Sequence, residues 1–296
     1  YGQADLESDV PATPLTNYRL ASLTKQFTAA AIALLVEARR LRFDDLAGRW
    51  LPELPESAGA IRLRHLLTHT SGLIDYEDLI PAGTEVALRD ADVIGLLAAE
   101  PRLYFAPGTG FRYSNGAYAL LALIVERAAG IDFASFLRER IFAPLGMSAS
   151  VAHEQGRSMP AHRAYGYSAL DGRWRRTDQS LTSAVLGDGG IYSSIDDLAR
   201  WDAALDDDRL LSASSRQQLF AAQIDSDDPN VRYGMGFRIS GEMLWHSGES
   251  IGFRNVILRF PRRRLSVIVL TNRDDPEPYA LALKIAGLCA PDSYRW

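Results

Sequence analysis

One cysteine, Cys289, and two lysines, Lys25 and Lys284, are all that 296 residues hold of those two types. A single thiol excludes internal disulfides and any metal cluster built on several cysteines. The remaining 30 basic residues are arginine. Arginine does not give up its proton and lysine can, so each surviving lysine calls for a reason. No apolar run reaches the ~18 residues of a membrane-spanning helix. The opening Tyr1-Gly2-Gln3 has neither a signal-peptide pattern nor an initiator Met, and the expectation is that a signal or further strands preceded it. No basic patch offsets the net charge of −5, so a nucleic-acid partner is not expected. The run Arg262-Arg263-Arg264 is too short to change that.

What is present is a globular composition, 47% hydrophobic and 23% charged, enough for a large core. Apolar residues at Phe27, Ala30, Ala31, Leu34, Leu35, Ala38 and Leu41 recur at helical spacing and predict a helix over 26–41. A second helix is expected over 116–129, closed by Gly130, and a third over 133–142, ended before Pro144. Ser194 with Asp197 reads as a cap opening a helix to about 205. The C-terminal third predicts short strands over 232–239, 243–247, 252–260 and 265–271, then a helix over 278–289. The expected fold class is α/β (α+β), an antiparallel sheet flanked by helices. Residues 1–45 and 181–296 would form the α/β part and 46–180 an inserted helical subdomain. The site would lie in the cleft between them, where ligand sites concentrate.

Three short motifs could carry chemistry. In Ser22-Leu23-Thr24-Lys25 the serine and lysine lie one helical turn apart, on one face. A serine hydroxyl needs a neighbour to take its proton, and a desolvated lysine can do so. With so few lysines the spacing occurs once, since Lys284 has Leu281 three places before it. In Tyr113-Ser114-Asn115, Tyr113 could relay a proton beside a cation, and Asn115 offers a donor and an acceptor to an amide. Taken alone, this tripeptide reads equally as a helix start. In His246-Ser247-Gly248, followed by Glu249, a strand edge could present a backbone N–H to an oxyanion, and Gly248 would permit close approach of substrate.

The order S-x-x-K, Y-x-N, then H-x-G resembles the serine hydrolases of the β-lactamase and penicillin-binding group, in its class C β-lactamase-like branch. The likeness extends to Leu66-Leu67-Thr68-His69-Thr70-Ser71-Gly72-Leu73, to Pro144-Leu145-Gly146-Met147 and to Gly189-Gly190-Ile191-Tyr192-Ser193. It implies a β-lactamase/DD-peptidase-like fold and an acyl-enzyme mechanism without a cofactor or metal. Ser22 would be the nucleophile, with Lys25 and Tyr113 sharing the proton transfers. The backbone N–H groups of Ser22 and Glu249 would bind the oxyanion. Asn115, His246, Gly248 and Glu249 would contact a small-molecule or peptide substrate. A periplasmic or secreted location would follow from the same likeness.

Two departures refine the expectation. His246 stands where many relatives have lysine, which leans toward peptidase or esterase action rather than efficient β-lactam destruction; no E-x-x-L-N segment of the class A type is present. Only 21 residues precede Ser22, so the family's early strands are expected to be incomplete, with Tyr1-Gly2-Gln3-Ala4 as the tail of one. The competing reading is a non-catalytic, penicillin-binding sensor or scaffold of the same fold. His65 and His69 have metal-ligand spacing but read as structural. Asp206-Asp207-Asp208 reads as a solvated helix end, and Tyr165, Tyr167 and Trp174 as packing residues or a cleft rim. Lys284 receives no role.

Overall fold

The computed structural model describes residues 1–275 and 277–289. Its centre is helix α1, Thr24–Glu37, in which every residue from Thr24 to Leu35 is buried. The periodicity of its large side chains suits a helix, and the alanines between them let neighbours approach from all sides. It stops at Glu37, short of the expected 41, because Arg39 takes a left-handed φ of 56°. Helices α2 (Leu63–Leu67), α3 (Asp90–Ala98) and α4 (Asn115–Ala129) follow. Leu66, Leu97, Leu120 and Ile124 join Phe27 and Ile32 in one core. Gly130, at φ 77°, closes α4 as expected.

The six-stranded sheet is an antiparallel meander, with Leu265–Thr271, Phe253–Phe260, Met243–Ser250, Arg238–Ser240, Arg232–Tyr233 and Ile224–Asp225 in that order. Alternation decides its two faces. Val256 and Leu258 meet Ala282 and Ala286 of the helix Pro278–Cys289, while Leu244 and Ile257 face the core around α1. A sheet flanked by helices is therefore what the chain forms.

Three elements depart from the sequence expectation. The run expected over 232–239 is two strands, because the chain turns at Gly236 with φ 80°. A Cβ there would stand 2.8 Å from the Lys25 carbonyl oxygen, so the turn is pressed onto the start of α1. The helix Phe133–Leu137 does not end before Pro144. It continues through a π turn, Arg138–Phe142, and on through Ala143–Leu145. The wider turn accommodates a proline that has no N–H to give. Gln3–Asp5 is a strand, but it pairs with Val10–Pro11 in its own hairpin, and Asn272 donates to the Gln3 carbonyl. Ser194 does cap Ile195–Ala204, its Oγ accepting from the Asp197 N–H.

Candidate active site

Ser22 sits in a single 3-10 turn, Ala21–Leu23, directly before α1. Ala21 ahead of it is held at φ 50°, a left-handed conformation costly for a residue with a Cβ. Lys25, the second residue of α1, is 0% exposed. Its Nζ donates to Ser22 Oγ at 3.0 Å, Asn115 Oδ1 at 2.8 Å and the Asp188 carbonyl at 2.9 Å. An ammonium fills all three. Asn115 Oδ1 and the Asp188 carbonyl can only accept, so a neutral Lys25 gives them its two protons and turns its lone pair to Ser22.

Asn115 opens α4, with Ser114 as its cap. The loop before it hangs on His69, whose Nδ1 accepts the Ser114 N–H at 3.1 Å and whose carbonyl accepts the Arg112 N–H. His69 is buried at φ 58°, and its ring lies 4.2 Å from that of Tyr113. Burial and the nearby Lys25 charge push its pKa well below the ordinary histidine value. His65 Nδ1 is likewise occupied, by the Arg62 N–H. Both histidines serve the backbone, and no group of three or more metal-binding side chains occurs among the described residues. The Tyr113 ring lies 4.9 Å from Lys25 Nζ, and its hydroxyl is buried without a hydrogen-bond partner.

The strand Met243–Ser250 brings His246 and Gly248 to the same centre. His246 is 1% exposed, and Nδ1 donates to the Ser247 carbonyl, leaving Nε2 to accept the Tyr233 hydroxyl proton at 3.1 Å. Both nitrogens are spent within the protein. Burial and the Arg238 charge push its pKa well below the ordinary value, so it is neutral. Gly248 permits a different approach from the expected one: a Cβ there would stand 2.0 Å from the Leu20 carbonyl oxygen, two residues before Ser22. Gly248→Ala is expected to cost about 1–3 kcal/mol or more by overpacking and to lower turnover with it. Unchanged melting temperature and unchanged turnover would show that the strand is free to shift. Glu249 is exposed at the strand end, its carboxylate 3.7 Å from Arg254.

Several residues of the site are absent from the motifs. Glu77 accepts from Asn115 Nδ2 at 2.8 Å, and burial, against the pull of that hydrogen bond, raises its pKa above the ordinary carboxylate value. Burial likewise pushes the carboxyl of Asp188 up to about 6, against the pull of Lys25. Asp90, at the start of α3, accepts the N–H groups of Leu186 and Gly187 and so fixes the turn that presents the Asp188 carbonyl to Lys25. Burial pushes Asp90 up to about 7. A raised carboxyl adds stability that is complete below its unfolded value near 3.8 and lost as pH climbs through about 7. Wild type is therefore expected to gain melting temperature from pH 8 to pH 5 relative to Asp90→Asn; parallel curves would refute the assignment. Gly248-Glu249-Ser250-Ile251-Gly252 also fits G-x-S-x-G, a pattern that passes unnoticed inside the third motif. It spans a strand–turn–strand hairpin, whereas a nucleophile elbow needs a strand running into a helix.

The remaining tempting residues are structural. Asp206, Asp207 and Asp208 pair with Arg259, Arg209 and Arg216. Tyr167 bonds to Glu7 beside Arg176, and Arg176 covers the Tyr165 ring, with Trp174 on the same hairpin.

Comparison with known proteins establishes the family. The family model described as Beta-lactamase matches residues 1–290. The chain belongs to the Beta-lactamase family. This family member is 32% identical to penicillin-binding protein 4* of Bacillus subtilis, over 96% of this chain and 66% of that one. It is 30% identical to a D-aminopeptidase of Gluconobacter oxydans, over 97% of this chain and 55% of that one. It thus spans between about half and two thirds of these relatives. The crystal structure of a penicillin-binding protein from Bacillus halodurans superposes with a TM-score of 0.87, at 30% identity, over 97% of this chain and 90% of that one.

Proposed function

We propose that the protein is a serine hydrolase that cleaves amides, and reactive esters, through a covalent acyl-enzyme. The observation that carries this is the buried Lys25 Nζ 3.0 Å from Ser22 Oγ, in a shell whose other two partners can only accept, so that a neutral amine keeps its lone pair for the serine proton. Ser22 Oγ attacks the carbonyl carbon while its proton passes to Lys25. The backbone N–H groups of Ser22 and Glu249 receive the oxyanion. The unpartnered Tyr113 hydroxyl hands a proton to the leaving nitrogen as the C–N bond breaks and regains it through Lys25. Water then attacks the ester by the reverse route, releasing the acid and restoring Ser22. Asn115, held by both Lys25 and Glu77, is placed to bind the substrate amide. The name of the Gluconobacter relative favours an amide next to a D-amino acid.

The test is a small panel run on wild type and Ser22→Ala: a fluorophosphonate, a fluorescent penicillin, p-nitrophenyl acetate and D-Ala-p-nitroanilide. Wild type should be labelled at Ser22 and turn over the ester and the anilide. No labelling, or equal turnover by both proteins, would sink the assignment.

A further inference from the structure

The segment 69–72 is bonded along its length to the loop that carries Tyr113. The Gly72 carbonyl accepts the Tyr104 N–H at 2.7 Å, the Thr70 carbonyl the Gly108 N–H at 2.8 Å, and the His69 carbonyl the Arg112 N–H at 2.9 Å. His69 then adds its ring. Nδ1 accepts the Ser114 N–H at 3.1 Å, so one residue holds the backbone on both sides of Tyr113. The imidazole also stacks on the residue between them, its centre 4.2 Å from that of the Tyr113 ring at a tilt of 34°. Phe111, Tyr118 and Tyr233 pack around the same imidazole, at 5.9, 5.1 and 4.7 Å between ring centres. Tyr118 is fastened to the Leu67 carbonyl and Tyr233 to His246, which leaves the imidazole little room to pivot.

Two features of His69 oppose folding. Its φ of 58° is costly for a residue with a Cβ. Because Nδ1 accepts, the one proton of the neutral ring sits on Nε2, which is buried with no hydrogen-bond partner among the described residues. A leucine would fill much of this space without orphaning a donor. What accompanies the two costs is a Tyr113 gripped at both neighbours and on its ring face. Tyr113 needs such a grip, because its own hydroxyl is bonded to nothing that could orient it. A proton donor must keep that hydroxyl free for substrate, so its aim has to come from ring and backbone. Resting on the acyl-enzyme reading above, we propose that His69 is the positioning residue of the proton donor: it fixes Tyr113 for transfer to the leaving nitrogen and takes no part in the transfer itself. The chemistry gives this role a signature. An amide nitrogen leaves only once protonated, whereas p-nitrophenolate departs as the anion. A misplaced Tyr113 therefore slows amides far more than activated esters.

The experiment measures kcat/KM for D-Ala-p-nitroanilide and p-nitrophenyl acetate on wild type, His69→Leu, His69→Asn, Tyr113→Phe and each His69 variant combined with Tyr113→Phe. Tyr113→Phe should lower the anilide-to-ester ratio by about 10²–10⁴. His69→Leu keeps bulk but no acceptor, and should lower the ratio by about 10- to 100-fold through misplacement. His69→Asn keeps an acceptor and tolerates a left-handed backbone, losing the stacked ring. Its ratio should fall by only about 3- to 10-fold. With Tyr113 already replaced, neither His69 variant should move the ratio by more than about twofold, since nothing is left to position. A role in folding alone would lower both substrates together, or lower the ratio equally with and without Tyr113, and either result overturns the proposal. Should His69→Leu not fold, by melting temperature, His69→Asn with and without Tyr113→Phe decides. If Tyr113→Phe lowers the ratio and the His69 variants do not, only the positioning role falls. If Tyr113→Phe leaves the ratio intact, the tyrosine is not the donor, and that step of the acyl-enzyme route falls with the proposal.

Discussion

Replacing Ser22 with alanine is expected to lower kcat by about 10⁶, the scale on which loss of a serine nucleophile acts when it belongs to a unit. Neither of the two other hydroxyls that the motifs bring forward is placed to take over. The Tyr113 hydroxyl would carry protons in the proposed mechanism, and Ser250, the serine of the G-x-S-x-G pattern, lies across a hairpin with its Oγ buried and unpartnered. The variant should fold normally, because Ser22 is partly exposed and its Oγ is only one of three acceptors on Lys25. Folding can be checked by melting temperature, and turnover with D-Ala-p-nitroanilide at high enzyme concentration. A residual rate within tenfold of wild type would place the nucleophile elsewhere.

Lys25 gives the second large effect. Lys25→Ala is expected to lose about 10²–10⁴ in kcat, the range for a positioned acid–base group. It also leaves Asn115 Oδ1 and the Asp188 carbonyl without their buried donor, at a cost of about 1–3 kcal/mol each. Alanine therefore mixes two causes, and arginine separates them. Lys25→Arg retains a cation that can bond to both carbonyl oxygens but cannot surrender a proton. If proton transfer is the role, the Lys25→Arg variant should remain as slow as Lys25→Ala while recovering stability. If the role is charge alone, activity should return with the cation. The comparison is pointed in a chain that uses arginine for 30 of its 32 basic residues.

How much of this was legible depends on distance along the chain. Ser22 and Lys25 are three residues apart across the start of α1, and Tyr113 and Asn115 are two apart at the start of α4, so local spacing reveals them. The strand Leu265–Thr271 and the helix Pro278–Cys289 match their expected bounds because turns and β-rich composition mark them. Glu77, Asp90, Asp188 and Arg238 give no such signal. Asp188 meets Lys25 across 163 residues and Asp90 meets Leu186 across 96, through backbone atoms that any residue type could supply. His246 was legible as a motif position, but not its orientation. Only the three-dimensional arrangement shows both nitrogens turned to Ser247 and Tyr233. The split at Gly236 had the same cause: the glycine is needed by the Lys25 carbonyl, more than two hundred residues away in the chain.

The shortage of lysine has a practical side. Lys25 is sealed in the core, whereas Lys284 is exposed on the helix Pro278–Cys289, which also carries the free, exposed Cys289. That helix covers the sheet face turned away from α1. Amine- and thiol-directed coupling of side chains would therefore converge on one small patch behind the site, tethering the protein to a surface or a dye in a single orientation with Ser22 left accessible.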